Sequence, residues 1–154
     1  MTVNPPIKIS LRELNKSNYR EILRLKVGDD QTGFVASNAI SIAQAHFHPE
    51  AWYRGIYAGG VAVGFVMLEI DESKPEYYLW RFMIDEKHQG KGYGFKAMHL
   101  VIEYVKGLPD SQEFLLSYVP GDGSPQGFYS KLGFVETGEV EDGETMMALT
   151  FQTG

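Results

Sequence analysis

The sequence contains no cysteine. Disulfides, thiolate metal sites and a cysteine nucleophile are therefore excluded together. Long apolar runs are also missing, and no stretch approaches the roughly 20 residues that cross a bilayer. The first six residues, Met1-Thr2-Val3-Asn4-Pro5-Pro6, lack the basic and apolar regions of a signal peptide. A soluble cytoplasmic protein with no membrane partner is expected. Basic residues are in the minority: 14 Lys and Arg stand against 20 Asp and Glu, a formal net charge of −6. Such a surface repels phosphates, so nucleic acid is not an expected partner, whereas a small cation is compatible with it. Repeats and low-complexity segments are absent too. The 154 residues, 44% hydrophobic and 22% charged, suit one domain spanning 1–154.

What is present is a sequence of alternating periods. Residues 7–14 alternate Ile7, Ile9 and Leu11 with Lys8, Ser10 and Arg12, as a half-exposed strand does. Asn18 and Glu21 are spaced as a capping box, and Tyr19, Ile22 and Leu25 follow at helical spacing until Gly28. A second helix is predicted over 37–47, with Ala36, Ile40, Ala43 and Phe47 on its apolar face. Residues 52–58 and 61–70 read as strands around the hairpin signal Gly59-Gly60, and 77–84 as a third strand of an antiparallel meander. From 92 to 106 the period turns helical. Met98, Val101, Ile102 and Val105 form the stripe, and Lys96, His99, Glu103 and Lys106 face away. A strand at 114–119 then implies a parallel pair joined by a crossover. A short helix at 124–132 ends at Gly133, and strands at 134–138 and 146–151 flank a turn with Asp142-Gly143.

The sharpest local signal is Gln89-Gly90-Lys91-Gly92-Tyr93-Gly94, between a strand and an amphipathic helix. Glycines lacking Cβ let backbone N–H groups approach an anion, and the free N–H groups and dipole of a helix start favour negative charge there. This is phosphate-binding chemistry. A phosphate loop of the Gly-Lys-Ser/Thr type is not matched. Gly92-x-Gly94-x-x-Ala97 loosely fits a dinucleotide fingerprint, but the chain lacks the repeated strand–helix units of that fold. A Gln/Arg-x-x-Gly-x-Gly/Ala pattern after a strand fits at every defined position. His46 and His48 flank Phe47 without a further ligand at metal-site spacing, so no metal is expected.

That last pattern resembles the coenzyme A loop of the GNAT superfamily of N-acetyltransferases. Phe128-Tyr129-Ser130-Lys131-Leu132-Gly133-Phe134 is similar to a second signature of that family, and the element order agrees throughout. Trp80-Arg81-Phe82-Met83-Ile84-Asp85-Glu86 ahead of the loop looks most like bacterial spermine/spermidine (diamine) acetyltransferases. The resemblance implies a mixed α/β fold: a mostly antiparallel central sheet with a splayed parallel pair, 77–84 and 114–119, and helices on both faces. It implies acetyl-CoA as co-substrate and a small-molecule primary amine, such as a polyamine, as acceptor. The pantetheine arm would meet the backbone of Phe82, Met83 and Ile84, with the Met83 N–H polarising the thioester carbonyl. Gln89, Gly90, Lys91, Gly92, Tyr93, Gly94 and Phe95 would hold the pyrophosphate, and Asp122, Ser124 and Lys131 would add contacts. Tyr129 matches the family's catalytic tyrosine, and a phenol, protonated at neutral pH, can serve as general acid to the leaving thiolate.

Three positions depart from the family pattern. Trp80 stands where related enzymes carry an acid, and Asp122 and Pro125 stand where Asn and Ala or Ser are usual. The general base is thus open: Glu69, Asp71 and Glu72 end the preceding strand and are candidates acting through water. Residues 29–45 are expected near the acceptor, with Asp29 and Asp30 able to attract a polyamine. Without cysteine, a direct ternary-complex transfer is expected, and analogy suggests a homodimer. The alternative is a CoA-binding sensor of the same fold that has lost catalysis.

Overall fold

The strands pair into a seven-stranded sheet of order β1-β2-β3-β4-β5-β7-β6. A computed structural model describes residues 6–28 and 37–151. Within them the strands are β1 (Ile9–Arg12), β2 (Ala51–Ala58), β3 (Val61–Asp71), β4 (Glu76–Ile84), β5 (Glu113–Tyr118), β6 (Val135–Glu141) and β7 (Glu144–Thr150). The helices are α1 (Tyr19–Leu23), α2 (Asn38–His46), α3 (Tyr93–Lys106) and α4 (Gln126–Lys131). Every neighbouring pair is antiparallel except β4 with β5, which the α3 crossover makes parallel. The mixed α/β architecture and the meander agree with the expectation from sequence.

The sheet carries apolar side chains on both faces. On one, α3 inserts Ala97, Met98, Val101, Ile102 and Val105 against Ile56, Val66, Leu68, Leu79, Phe114 and Leu116. Met98, Val101, Ile102 and Val105 are the predicted stripe, and fully burying such side chains contributes about 1.5–3 kcal/mol each. On the other face a smaller cluster joins Ile22, Tyr57, Phe65, Met67 and Met83. Gly55 has no side chain because a Cβ there would fall 2.7 Å from Ile22 Cδ1. The β6–β7 turn is tight: Asp142 and Gly143 have φ of 51° and 80°, as a two-residue hairpin of right-handed twist requires.

Three expectations are corrected. The capping box does not form. Asn18 Oδ1 accepts from the Asn15 N–H, 2.8 Å away, and Glu21 instead accepts from the Tyr57 hydroxyl at 3.0 Å. Helix α1 ends at Leu23, short of Gly28. Helix α2 is capped by Ser37, whose hydroxyl accepts from the Ile40 N–H, but its buried face is polar. Ile40 is 53% and Phe47 77% exposed, whereas Asn38 and Ser41 are buried. The cause is a backbone need. Asn38 Nδ2 donates to the Ile22 carbonyl at 2.8 Å, and Ser41 Oγ donates to the Ser37 carbonyl at 3.1 Å. Ala36, Asp29 and Asp30 lie outside the described residues.

Candidate active site

Strands β4 and β5 pair only at Tyr78↔Leu115 and Leu79↔Leu116. Beyond that point they separate, and the opening becomes a cleft of about 860 Å³. Its walls are Tyr78 to Ile84 of β4 and Ser117 to Val119 at the end of β5. The glycine loop closes one end, and Ser124, Phe128, Tyr129 and Lys131 close one side.

A bulge shapes the β4 wall. Met67 faces Arg81 and Leu68 faces Leu79, leaving Trp80 as an extra residue. An inserted residue breaks the strict alternation of side chains. Trp80 joins the Met83 cluster on the α1–α2 face, and Arg81, opposite Met67, points the same way, while Phe82 and Ile84 belong to the α3 face. Arg81 Nη2 donates to Gln44 Oε1 of α2 and Nη1 to the Trp80 carbonyl, both at 3.0 Å. Its Nε has no partner among the described residues, and burial lowers its pKa. His48 stands edge-on to Trp80 at 5.1 Å, with Nδ1 3.4 Å from Glu50 Oε1.

The bulge also fixes backbone direction. The Asp85 N–H donates to the Val63 carbonyl at 2.8 Å. Two residues back, Met83 lies opposite Phe65 in the same register, so its N–H is directed at β3. The polar backbone groups of Phe82 and Ile84 point the other way, toward the opening. The Ile84 carbonyl accepts from Gln89 Nε2 at 2.9 Å, which ties the loop to the strand.

The loop has the geometry of an anion cradle. Gly90 and Gly92 have φ of 78° and 80°, a conformation that L side chains rarely adopt. Gly92 opens α3 with no side-chain cap, and the first turn holds no acidic residue. The N–H groups there are therefore available to a ligand. Gly94 serves packing: a Cβ there would lie 3.3 Å from Ile84 Cγ1 and 3.6 Å from Phe128 Cζ. Gln89, Gly90, Gly92, Tyr93, Gly94 and Phe95 all line the cleft, as do Phe82, Met83, Ile84, Ser124 and Lys131. Lys91 and Asp122 do not. Lys91 Nζ sits 5.9 Å above the Tyr93 ring, and Asp122 is exposed in the loop after β5.

Tyr129 is buried on α4 between Phe128 and Phe134, with ring centroids 5.3 and 5.9 Å away. No hydrogen bond engages its hydroxyl among the described residues. Burial raises its pKa well above the ordinary tyrosine value, which keeps the phenol protonated.

A second cavity of about 420 Å³ lies on the α1–α2 face. Glu69, Asp71, Glu76, Glu141, Asp142 and Glu144 line it, and Glu69, Tyr78, Ser117 and Glu144 line both cavities. The Tyr78 and Ser117 hydroxyls are hydrogen-bonded to each other at this junction, and burial raises the Tyr78 pKa. Asp71 is engaged by Ser73, whose hydroxyl and N–H both donate to it and lower its pKa. Tyr78, Ser117 and Glu144 line the cleft at this junction and lie outside the contiguous motifs. They come from three strands, and only the bulge and the sheet order bring them together.

A sheet opened between two parallel strands, with an uncapped glycine-rich helix start at its mouth and a buried phenol on its wall, is the architecture of an acyl-CoA transferase. Residues 10–134 match the acetyltransferase (GNAT) family, and the chain belongs to it. It is an acetyl-CoA-dependent N-acetyltransferase. The chain is 29% identical to the spermine/spermidine N(1)-acetyltransferase of Bacillus subtilis strain 168, over 92% of this chain and 97% of that one. A probable spermine N(1)-acetyltransferase of Bacillus subtilis subsp. natto is 28% identical, with the same coverage. An acetyltransferase of Thermus thermophilus superposes with a TM-score of 0.74 at 15% identity, covering 94% of this chain and 98% of that one. The PaiA N-acetyltransferase of Thermoplasma acidophilum, solved with coenzyme A, gives 0.67 at 17% identity, covering 94% and 100%.

Proposed function

We propose that this protein acetylates a primary amine of a small polycation of the spermidine or spermine class, by direct transfer in a ternary complex. The observation that carries this reading is the polarity of the opening. A glycine-rich anion cradle stands at one end, and an acidic cavity adjoins the other. The relatives named for spermine and spermidine support the same reading.

Acetyl-CoA fits the residues present. Gly90, Gly92 and the first N–H groups of α3 would hold its pyrophosphate, aided by Lys131, and the backbone of Phe82 and Ile84 would hold the pantetheine arm. The co-substrate supplies an activated acetyl thioester. Of the β4 backbone donors, the N–H groups of Phe82 and Ile84 point into the opening and suit the polarisation of a carbonyl, a task that the family resemblance gives to Met83. Such donors are fixed before reaction and cost no reorganisation. Tyr129 holds the proton that the leaving sulfur takes up. Lys91 and Asp122 take no part in this arrangement.

The test is an amine screen read by release of free CoA thiol. Triamines and tetramines are expected to be turned over with higher kcat/KM than monoamines of equal chain length. Equal values across the charge series would defeat the polycation reading. Absence of turnover with any amine, while coenzyme A still binds, would defeat the assignment of acetyl transfer to this cleft.

A further inference from the structure

Attack on a thioester requires a neutral nitrogen, whereas an alkyl ammonium near neutral pH is charged, with a pKa close to the ~10.4 of lysine. Something must take a proton from it at the moment of reaction. Trp80, at the strand position where an acid is looked for, has no basic atom. His88 lines the cleft beside the glycine loop, away from the junction. The junction itself offers two carboxylates, Glu69 and Glu144, neither with a hydrogen bond or ion pair among the described residues.

Sheet register separates them. Glu69 lies opposite Tyr78, where β4 and β5 are still joined. Glu144 is one residue before Thr145, which pairs with Tyr118, so Glu144 stands level with Val119, beyond the vertex where the strands have parted. It has the same parity as Met146, which faces Ser117, and therefore projects on the face of the Tyr78–Ser117 pair. The tight Asp142-Gly143 turn fixes its start on β7. We propose that Glu144 is the catalytic base, taking the proton of the attacking amine at the vertex of the β4–β5 opening. The proposal rests on the acetyl-transfer reading above.

The proton balance is closed. Glu144 takes one proton from the ammonium and passes it to water, freeing the nitrogen lone pair to form the N–C bond. As the C–S bond breaks, Tyr129 gives its phenol proton to sulfur, and the second proton shed by nitrogen restores Tyr129 through solvent. The charged and titratable groups that share these cavities with Glu144 near the junction are Glu76, Tyr77, Tyr78 and Arg81 of β4, Glu69 and Asp71 of β3, Glu141 of β6 and Asp142 of the turn. Among the neighbouring charges, Glu144 acts most strongly on both Tyr78 and Arg81.

Glu144→Gln tests this against mere attraction of the substrate. At pH 7 the variant is expected to lose roughly 10²-fold or more in kcat, the scale of a missing general base, with KM for a triamine raised no more than in Glu69→Gln. Its rate is expected to recover roughly tenfold per pH unit as free amine accumulates, because an uncatalysed deprotonation follows the amine's own titration. Calorimetric binding of coenzyme A is expected to match the unaltered protein, and a triamine is expected to bind the CoA complex no more weakly than it binds that of Glu69→Gln. Glu69→Gln, by contrast, should raise KM and spare kcat. A Glu144→Gln protein with unchanged kcat, or with only a raised KM, overturns the proposal. If the unaltered protein binds coenzyme A yet acetylates no amine, the underlying reading fails instead, so the two failures are distinguishable.

Discussion

Tyr129 shows how burial can make one side chain fit for a task. Its ring is held between Phe128 and Phe134, and its hydroxyl has no protein partner among the described residues. Removing the phenolate's hydration raises the pKa, so the group stays protonated past the ordinary tyrosine value of about 10. A general acid with a raised pKa loses function only when pH climbs through that raised value. The alkaline limb of kcat should therefore lie above pH 10 and not near it. Tyr129→Phe keeps the ring and removes the proton. It should lower kcat by roughly 10²–10⁴-fold while leaving acetyl-CoA affinity intact. Unchanged turnover in the phenylalanine variant would reassign the acid.

At the level of elements, the site depends on departures from regularity, and these set the limits of sequence reading. The α1–α2 junction is held by Asn38, whose amide donates to the Ile22 carbonyl and also lies 3.8 Å from Met83 Sδ. Asn38→Ala removes one of that carbonyl's two donors, leaving the Leu25 N–H at 3.2 Å, and should cost about 0.5–1.5 kcal/mol, read as a lower urea midpoint. A loss under about 0.3 kcal/mol would show that water replaces the amide without penalty. The stripe of Ile40, Ala43 and Phe47 is visible in the sequence, yet it faces outward, because the burial of Asn38 answers a backbone group of another helix. The α3 stripe was legible since helix period and burial coincide there. The hairpins were legible because Gly59 and Asp142-Gly143 take positive φ, which is a local demand. The bulge at Trp80 was not. Tyr77 to Ile84 runs through aromatic and apolar residues with no glycine to mark it, and the break in alternation exists only relative to β3. The glycine loop and Tyr129 could be read from contiguous motifs. Tyr78, Ser117 and Glu144 could not, since their convergence is a property of sheet order.

Across the whole molecule, charge is divided along one opening. Lys87, Lys91, Lys96 and Lys131 surround or follow the glycine loop, although the chain as a whole carries a net charge of −6. The six carboxylates of the second cavity lie at the other end. The donor's phosphates and a cationic acceptor would thus approach ends of opposite sign, and neither would be drawn to the other's site. Such fields are screened by salt. The Debye length falls from about 10 Å at 0.1 M to about 3 Å at 1 M ionic strength. A triamine is guided by charges several ångströms from the reacting nitrogen, and a monoamine chiefly by those at the junction. Between 0.1 M and 1 M salt, KM for a triamine should therefore rise several-fold more than KM for a monoamine, with kcat little changed for either, because the proton transfer at the vertex acts within contact distance. Steady-state kinetics with the two amines at both salt concentrations measures the difference directly. Parallel rises in the two KM values would mean that the acidic cavity does not reach the remote ammonium groups, and the polycation preference would then need a source other than this groove.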